Sequence, residues 1–274
     1  MTIFDYPDAK TELYCVFGNP VSHSKSPIIH NALFKQNKIN AIYLAFNIND
    51  IKVGVQAVRE LNIKGVSVTI PFKEKIIAFL DDIDSRAKEI GAVNTIVNQN
   101  GKLKGYNTDW AGSVKPLKKY NVKNKKVGLI GAGGSAHAVA YGIKKSFGKL
   151  TIINRTRKNG EKLASLFNAD FILMDRVNNE NFDILINTTP LGMSPDIKST
   201  PFLKQYLNKD TIVMDIVYNP VETQLIKDAR NIGCKTIDGI SMFINQGALQ
   251  FQLWTDIEPS IEFMRSVLEK EMVR

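Results

Sequence analysis

The chain carries near its middle the segment Val127-Gly-Leu-Ile-Gly-Ala-Gly-Gly-Ser-Ala-His137. The pattern indicates a short apolar strand, a glycine-rich turn and the start of an alanine-rich helix, and a second apolar strand follows at residues 150–154. Glycines in such a turn let the backbone approach a pyrophosphate, and the helix start offers free N–H groups to the negative charge. We therefore predict a dinucleotide-binding loop, whose members are Gly131, Ala132, Gly133, Gly134 and Ser135.

The loop after the second strand indicates which dinucleotide binds. A cofactor with a free ribose 2′-hydroxyl usually meets an Asp or Glu at this position, and the sequence has neither. It has Arg155, Arg157 and Lys158, together with Asn154 and Thr156. Cations at this position suit a 2′-phosphate, so the sequence predicts NADP(H), with Asn154, Arg155 and Thr156 among the binding residues.

The length and composition are compatible with a soluble globular protein. Its 274 residues favour two modest domains, and 44% hydrophobic with 23% charged residues is ordinary for that class. No apolar stretch approaches the roughly 20 residues that span a bilayer, and the first residues lack the basic flank and apolar core of a signal peptide. Cys15 and Cys234 lie in apolar runs without metal-ligand spacing, so we expect buried core residues, no bound metal and a reducing cytoplasmic location.

The formal net charge of +9 raises the question of a nucleic-acid partner. The Lys and Arg residues are scattered, and aromatic residues are not interleaved with them in the manner of a nucleic-acid-binding module. We therefore expect a solvated basic surface that attracts anionic small molecules, with no nucleic-acid and no membrane partner.

Strands that alternate with helices predict an α/β fold with largely parallel sheets. In the first region, about residues 11–106, we predict strands 13–17, 41–46 and 65–70, helices 27–36, 53–61, 73–80 and 85–90, and a hairpin over 94–106. The second region, about residues 109–239, has predicted strands 125–130, 150–154, 182–187, 211–216 and 234–238, and a helix over 135–147. The remainder is helical, over 247–254 and 261–271.

Polar motifs lie at the loop positions of this pattern. In the first region they are GNPVSHSKSP (residues 18–27), TIPFK (69–73), GAVNT (91–95) and GYNTD (105–109). They continue with NRT (154–156), NTTPLG (187–192), YNP (218–220) and QGALQFQLW (246–254). Taken in this order around the glycine-rich loop, the motifs closely resemble the shikimate dehydrogenase family, and the resemblance covers nearly the whole chain.

The resemblance implies a two-domain α/β protein. Residues 1–108 with 240–274 would form the substrate-binding and catalytic domain, to which the C-terminal helices return, and residues 109–239 a Rossmann-type NADP-binding domain. The implied reaction is the reversible reduction of 3-dehydroshikimate to shikimate with NADPH, in the chorismate route to aromatic amino acids. The oligomeric state, monomer or homodimer, stays open.

The resemblance also implies roles for individual residues. Lys73 and Asp109 match the catalytic pair, and Ser24 and Ser26 match residues that bind the substrate carboxylate. Around the substrate hydroxyls the matching residues are Thr69, Asn94, Asp109 and Gln246. Tyr218 matches a residue near the carboxylate, Gly239 one at the nicotinamide end, and Ile216 completes the cofactor-binding set.

The chemistry of these residue types agrees with a ketone reductase. A lysine ammonium stabilises a developing alkoxide and can pass a proton to it, while a carboxylate fixes the ammonium in place. Two departures from the family pattern are His137, where many relatives carry Arg, and Asn159, where some relatives carry Arg. We expect His137 to weaken the contact with the phosphates slightly, and Arg157 and Lys158 to compensate for Asn159.

Three alternatives are open on the sequence. The first is a dual quinate/shikimate dehydrogenase that uses NAD, against which the basic loop at residues 154–158 argues. The second is a non-catalytic regulator that binds NADP or a metabolite on the same fold, against which the presence of Lys73 and Asp109 argues. The third is a basic nucleic-acid-binding module, which only the net charge favours.

Overall fold

A computed structural model describes residues 7–177 and 180–272 of the chain. Of the predicted domain ranges, residues 1–6, 178–179 and 273–274 lie outside the described residues. The chain divides into two compact units: unit 1 comprises Met1–Thr108 and Gln246–Arg274, and unit 2 comprises Asp109–Asn245. Within the described part of the chain, every helix is too short or too polar to cross a membrane.

Unit 1 is built on a mixed sheet. Its elements in chain order are β1 (Glu12–Gly18), α1 (Ser26–Gln36), β2 (Ala41–Asn47), α2 (Ile51–Glu60), β3 (Gly65–Val68), β4 (Asp82–Ile83), α3 (Ser85–Ile90), β5 (Thr95–Gln99) and β6 (Lys102–Tyr106). The strands are ordered β2-β1-β3-β5-β6-β4. β1, β2 and β3 are parallel, whereas β5 runs antiparallel to both β3 and β6. The predicted α/β fold is confirmed, and the antiparallel part comes from the predicted hairpin.

The hairpin between β5 and β6 is confirmed, and its turn explains the register. Asn100 and Gly101 both have positive φ, of 56° and 87°. A two-residue hairpin turn that matches the twist of its strands needs positive φ at both central positions, and Asn-Gly is the pair that tolerates this best. Gln99 therefore pairs with Lys102 directly across the turn.

The helix predicted over residues 73–80 is wrong in type and in extent. Residues Lys75–Phe79 form a 3-10 helix, and Lys73 lies in the turn before it. The reason is a tertiary contact, because the carbonyl oxygen of Lys73 accepts a hydrogen bond from the backbone N–H of Val93 at 2.8 Å. That carbonyl is then committed to a neighbouring segment and does not begin an α-helical ladder.

Unit 2 is an all-parallel doubly wound sheet. Its elements are α4 (Asp109–Leu117), β7 (Lys126–Ile130), α5 (Gly134–Lys145), β8 (Lys149–Asn154), α6 (Arg157–Leu166), β9 (Asp170–Leu173), β10 (Ile184–Asn187), β11 (Ile212–Asp215), α7 (Gln224–Ile232) and β12 (Lys235–Ile237). The strands are ordered β12-β11-β10-β7-β8-β9. Counted from β7, this is the 3-2-1-4-5-6 order of dinucleotide-binding folds, and it reverses between β7 and β10, where such folds bind their ligand.

Two helices complete the chain, α8 (Gly239–Thr255) and α9 (Ile261–Met272). The division between the units falls inside α8, between Asn245 and Gln246, whereas the sequence pattern predicts it at residues 239/240. α8 begins at Gly239, whereas the predicted helix begins at residue 247. Its first turn is capped by Asp238, whose Oδ1 accepts hydrogen bonds from N and Oγ of Ser241, at 3.0 and 3.1 Å. These bonds tie the first turn of α8 to the end of β12, which belongs to unit 2.

The second half of α8 packs into unit 1. Nε1 of Trp254 donates a hydrogen bond to the carbonyl oxygen of Ile96 in β5 at 2.9 Å. The indole also lies directly on Gly65 of β3, where a Cβ atom would stand 2.6 Å from Cδ1 of Trp254. Glycine at this position therefore permits the close approach that seats the helix on the sheet.

Both cysteines are buried and free, as the sequence predicts. Cys15 is fully buried within β1 in the core of unit 1, and Cys234 is 8% exposed beside β12 in unit 2. They therefore act as small core residues.

Candidate active site

The two serines predicted to bind a carboxylate lie at the beginning of α1. The helix begins at Ser26, with Pro27 in its first turn. Oγ of Ser24 accepts a hydrogen bond from the backbone N–H of Ser26 at 3.3 Å. Ser26 is buried and Ser24 is half-buried. Because the start of a helix favours negative charge, the two hydroxyls stand where an anion would be stabilised.

Thr69 and Lys73 lie in the connection between β3 and the 3-10 helix. The backbone N–H of Thr69 donates to the carbonyl oxygen of Phe17 at 2.9 Å, and Val93 fixes the backbone of Lys73 as described above. Lys73 is only 9% exposed, which is rare for a lysine. An ammonium group on a largely buried side chain and a fixed backbone stabilises a developing negative charge more strongly than one in water.

Asn94 connects three segments of unit 1. It is 2% exposed. Its Nδ2 donates to Oγ1 of Thr108 at 2.9 Å and to Oε1 of Gln246 at 3.4 Å. Its Oδ1 accepts from the backbone N–H of Thr108 and from Oγ1 of Thr95, each at 2.8 Å. The structure therefore brings the predicted residues Asn94 and Gln246 together, and ties both to the residue that precedes Asp109.

Below Asn94 lies a buried hydrogen-bond network that was not predicted from the sequence. Nε2 of Gln250 donates to the carbonyl oxygen of Asn94 at 3.1 Å and to Oγ1 of Thr95 at 3.0 Å. Its Oε1 accepts from Oγ of Ser67 at 3.0 Å, and that hydroxyl accepts from the Tyr43 hydroxyl at 2.6 Å. The spacing of the two glutamines could have indicated this network, because Gln250 follows Gln246 by one helical turn on an otherwise apolar face.

The network continues to His30. This side chain is 1% exposed, stacks on Tyr43 with ring centroids 4.6 Å apart, and forms a hydrogen bond with Gln250. Burial lowers the pKa of His30 to about 3, because the charged imidazolium is poorly solvated there, and the bond to Gln250 opposes the shift only in part. His30 is therefore neutral at physiological pH and serves as a packing residue.

The glycine-rich loop of unit 2 has the local geometry that a dinucleotide needs. Gly131 has φ of 111°, and a Cβ atom there would stand 2.6 Å from Oγ1 of Thr188, so only glycine fits. Gly133 precedes the first turn of the 12-residue helix α5, and a Cβ atom there would meet open space. Ala136 is fully buried, as the third position of the motif requires. The open side of Gly133 at a helix N-terminus fits a pyrophosphate.

In the basic loop after β8, one cationic side chain is engaged in contacts within unit 2 and two are exposed. Nη1 of Arg157 donates to Oε1 of Glu161 at 2.7 Å, and its guanidinium lies 5.9 Å from the ring centroid of Phe171. Arg155 and Lys158 are exposed, and the described residues offer neither of them a hydrogen bond or an ion pair. These two side chains therefore fit a 2′-phosphate better than Arg157 does.

Two smaller features complete this side of the loop. Nδ2 of Asn154 donates to the carbonyl oxygen of Thr156 at 2.9 Å, which shapes the turn into α6. His137 is 6% exposed and meets Phe167 edge-on at 6.4 Å. It is packed into unit 2 and is not an exposed substitute for an arginine.

Asp109 and Tyr218 both belong to unit 2. Asp109 is the first residue of α4 and is 4% exposed. Tyr218 stacks on Phe243 of α8, with ring centroids 4.5 Å apart and an interplanar angle of 27°. Of the predicted catalytic pair, Lys73 lies in unit 1 and Asp109 opens unit 2.

Gly239, predicted at the nicotinamide end, and Ile216, predicted as a cofactor-binding residue, are in contact. A Cβ atom on Gly239 would stand 2.6 Å from the carbonyl oxygen of Ile216 and would overlap the carbonyl group of Val217. Ile216 directly follows Asp215, the last residue of β11, which is fully buried. Residues at the carboxyl end of a parallel sheet therefore meet the first turn of α8, as expected of a cofactor site.

Comparison with known proteins agrees with this geometry. The family models that match the chain are those of the shikimate dehydrogenase substrate binding domain (residues 16–96), the shikimate/quinate 5-dehydrogenase family (residues 114–241) and the shikimate 5′-dehydrogenase C-terminal domain (residues 239–269). The matches cover the substrate-side motifs, the doubly wound sheet and the last helices.

Individual relatives match over nearly their whole length. The shikimate dehydrogenase (NADP(+)) of Halothermothrix orenii is 42% identical, over 96% of this chain and 96% of that protein. That of Methanocaldococcus jannaschii is 42% identical, over 95% and 97%. A crystal structure of a shikimate dehydrogenase in complex with NADP+ superposes with a TM-score of 0.92 at 40% identity, covering 98% of each chain.

Proposed function

Because this chain belongs to the shikimate dehydrogenase family, we propose that Lys73 and Asp109 are its catalytic residues. The protein is an NADP-dependent oxidoreductase that acts on a CH–OH group and interconverts shikimate and 3-dehydroshikimate, a step in the biosynthesis of aromatic amino acids. The observation that carries the assignment of the substrate side is the junction of Asn94, Gln246 and Thr108, because it joins two predicted hydroxyl-binding amides to the residue before Asp109.

The cofactor is NADP(H), which supplies the hydride when it is bound. We propose that residues 131–135 hold its pyrophosphate at the start of α5, and that Asn154, Arg155 and Thr156 hold the 2′-phosphate. Ile216 and Gly239 would line the nicotinamide end. Two observations support these roles: the open side of Gly133, and the exposed guanidinium of Arg155, which forms no hydrogen bond or ion pair with the described residues.

We propose that Lys73 acts on the oxygen at the reacting carbon. During reduction its ammonium would donate a hydrogen bond to the carbonyl oxygen and then stabilise the alkoxide as negative charge develops. The proton that completes the new hydroxyl would come through Lys73, and Asp109 would orient the ammonium and a substrate hydroxyl. The low exposure of Lys73 supports this role, because electrostatic stabilisation is stronger where a side chain is shielded from water.

We propose that the remaining polar side chains fix the orientation of the ring. Ser24 and Ser26 would donate to the substrate carboxylate, with Tyr218 close to the same group. Thr69, Asn94 and Gln246 would pair with the ring hydroxyls, since a site built to hydrogen-bond hydroxyls rejects analogues that lack them. The hydrogen bond between Asn94 and Gln246 supports a shared binding surface for these hydroxyls.

We also propose that substrate and cofactor are bound by different parts of the chain. Residues 1–108 with 240–274 would bind the substrate, and residues 109–239 would bind NADP. We further propose a cytoplasmic enzyme that acts as a monomer or a homodimer without a nucleic-acid partner. The two buried free cysteines support a reducing compartment.

The experiment is a turnover assay at the absorbance band of the reduced nicotinamide. Wild type is offered shikimate with NADP+, shikimate with NAD+, and quinate with each cofactor. Lys73→Met is expected to lower kcat with shikimate and NADP+ by about 10²–10⁴-fold, the usual contribution of a positioned acid or base, and Asp109→Asn is expected to lower it as well.

Lys75→Met is the matched control, because Lys75 is an exposed lysine two residues away in the 3-10 helix. It should turn over like the wild type. Near-normal kcat in Lys73→Met would contradict the catalytic assignment, and faster turnover with quinate and NAD+ than with shikimate and NADP+ would point to the dual-specificity branch of the family.

A further inference from the structure

Asp215 is a buried carboxyl group that the proposed mechanism does not use. It ends β11 and is fully buried. It accepts hydrogen bonds from Nδ2 of Asn187 at 2.9 Å, from the backbone N–H of Val217 at 3.0 Å and from Oγ1 of Thr223 at 2.7 Å. No Lys, Arg or His among the described residues forms an ion pair with it. A carboxyl group kept in such a place without a counter-ion is costly, which points to a specific task.

On one side, Asp215 belongs to a chain of hydrogen bonds that crosses the ends of three strands. Oδ1 of Asn187, at the end of β10, accepts from the backbone N–H and Oγ1 of Thr189 at 2.9 and 2.7 Å. The neighbouring Thr188 donates through Oγ1 to the carbonyl oxygen of Ile130 at 2.6 Å, at the end of β7. Asn187 thus links β11 to the place between β7 and β10 where the strand order reverses, beside the pyrophosphate loop.

On the other side, Asp215 fixes the backbone on which α8 begins. Val217, whose N–H Asp215 holds, presents its carbonyl group to Gly239 so closely that a Cβ atom would not fit. The backbone N–H of Ile216 donates to the carbonyl oxygen of Asn187 at 3.1 Å, which secures the same segment from β10. Residues 216–217 are therefore held between the strand ends and the first turn of α8.

We infer that Asp215 is a positioning residue for the nicotinamide half of NADP(H): through Asn187, Val217 and Thr223 it sets where Ile216 and Gly239 stand. The inference rests on the proposed function, which assigns those two residues to the nicotinamide end. Asp215 itself touches neither substrate nor cofactor in this role. Its effect is geometric, because a displacement of about 1 Å at a reacting group can lower a rate about 100-fold.

The test compares two ligands by calorimetry on the full-length protein. NADP+ occupies the whole site, whereas adenosine 2′,5′-bisphosphate carries only the adenine and 2′-phosphate end. Asp215→Ala is expected to raise the Kd for NADP+ about tenfold. The Kd for the bisphosphate should stay within about twofold of the wild-type value. Equal weakening of both ligands, or no weakening of either, overturns the inference.

Two further variants keep the test sharp if Asp215→Ala fails to fold. Asp215→Asn keeps Oδ1, the acceptor for Asn187 and Val217, and is expected to bind NADP+ within about threefold of wild type. Thr223→Val keeps the carboxylate and removes its Oδ2 partner, and should weaken NADP+ selectively by about threefold. An Asn variant as weak as the Ala variant, or a Val variant without selectivity, overturns the role assigned to these contacts.

Asp210→Asn, an exposed aspartate of the same unit, is the control and should bind both ligands like the wild type. The readout is independent of turnover. Failure of the proposed function would appear as wild type that does not oxidise shikimate. Failure of this inference would appear as parallel changes in two binding constants in an enzyme that still turns over.

Discussion

Nε2 of Gln250 donates a hydrogen bond to the backbone carbonyl oxygen of Asn94 at 3.1 Å, although the two residues lie 156 positions apart in the chain. The same amide group also reaches Thr95 and Ser67, so one side chain from α8 satisfies three buried polar groups on two neighbouring strands. Buried hydrogen bonds that join several segments fix their members in place. Asn94, the predicted substrate-binding residue in this network, is thereby held in position for a ligand.

We therefore expect Gln250→Leu to damage both stability and substrate binding. The variant removes the hydrogen bonds that Gln250 makes to the Asn94 carbonyl, to Thr95 and to Ser67, and the unfolding free energy should fall by about 2–4 kcal/mol. The KM for shikimate should rise several-fold while the KM for NADP+ stays unchanged, because Asn94 lies on the substrate side. Denaturant unfolding and steady-state kinetics measure the two effects.

Gln252→Leu is the matched control, since Gln252 is exposed on the same helix. It should change the unfolding free energy by no more than about 0.5 kcal/mol. If both KM values rose together in Gln250→Leu, the network would be structural only.

Arg155 is expected to read the 2′-phosphate. Arg155→Ala should raise the KM for NADP+ about tenfold or more, since a charge-assisted hydrogen bond to phosphate is lost, and should leave the KM for NAD+ unchanged. The ratio of the two KM values measures this selectivity. Lys162→Ala, an exposed lysine farther along α6, should leave the ratio as it is, and a ratio unmoved in Arg155→Ala would exclude Arg155 from this role.

His30 makes the fold sensitive to acid. Its native pKa is lowered to about 3, whereas in the unfolded chain it takes up a proton near pH 6.5. The stability associated with neutral His30 is therefore present above pH 6.5 and is lost as the pH falls towards 3. His30→Phe keeps the aromatic stack and removes this titration.

Between pH 7 and pH 4.5, wild type should lose about 2–3 kcal/mol of unfolding free energy relative to His30→Phe. Denaturant unfolding at the two pH values gives the comparison. His23→Phe, at a half-buried histidine before α1, controls for the loss of a histidine elsewhere. A wild-type-to-variant difference that is the same at both pH values would contradict the expectation.

The two glycines of the cofactor loop should fail in different ways. Gly133→Ala places a methyl group in open space, so the fold should be unaffected, but the methyl group would stand where the pyrophosphate approaches and NADP+ should bind more weakly. Gly131→Ala forces a residue with a side chain into φ of 111° against Thr188, and should destabilise unit 2 by about 1–3 kcal/mol. Thermal unfolding with and without NADP+ separates the two; a Gly133→Ala variant that binds NADP+ normally would contradict the loop assignment.

Local patterns predicted much of the fold. The β7–α5–β8 unit and the Asn100-Gly101 hairpin each depend on a few neighbouring residues with special backbone needs, and both are confirmed. The fold class is confirmed as well, and so is the NADP preference, which follows from the basic loop at residues 154–158. The turns can be recognised in the sequence because glycine, and to a lesser degree asparagine, adopts positive φ more readily than other residues.

What could not be predicted depends on distant partners. The 3-10 helix after Lys73 replaces an α-helix because Val93, 20 positions later, takes the carbonyl of Lys73. Gln250 looks like one more helix residue until Asn94 and Ser67 are placed beside it. Asp215 ends a strand as many aspartates do, and only the contacts from Asn187, Val217 and Thr223 show that it is buried.

The discontinuous make-up of unit 1 has a consequence for synthesis on the ribosome. Unit 2 is a single stretch, Asp109–Asn245, and can close as soon as that stretch has emerged. Unit 1 starts to emerge first, yet its sheet lacks Gln250 and Trp254 until the last part of the chain appears. In the nascent protein, unit 2 is therefore complete at a time when unit 1 still lacks the second half of α8. Gly65 and the carbonyl groups of Ile96 and Asn94 have not yet met their partners in that helix. We therefore expect unit 1, whose first residues are translated before unit 2, to finish folding after it.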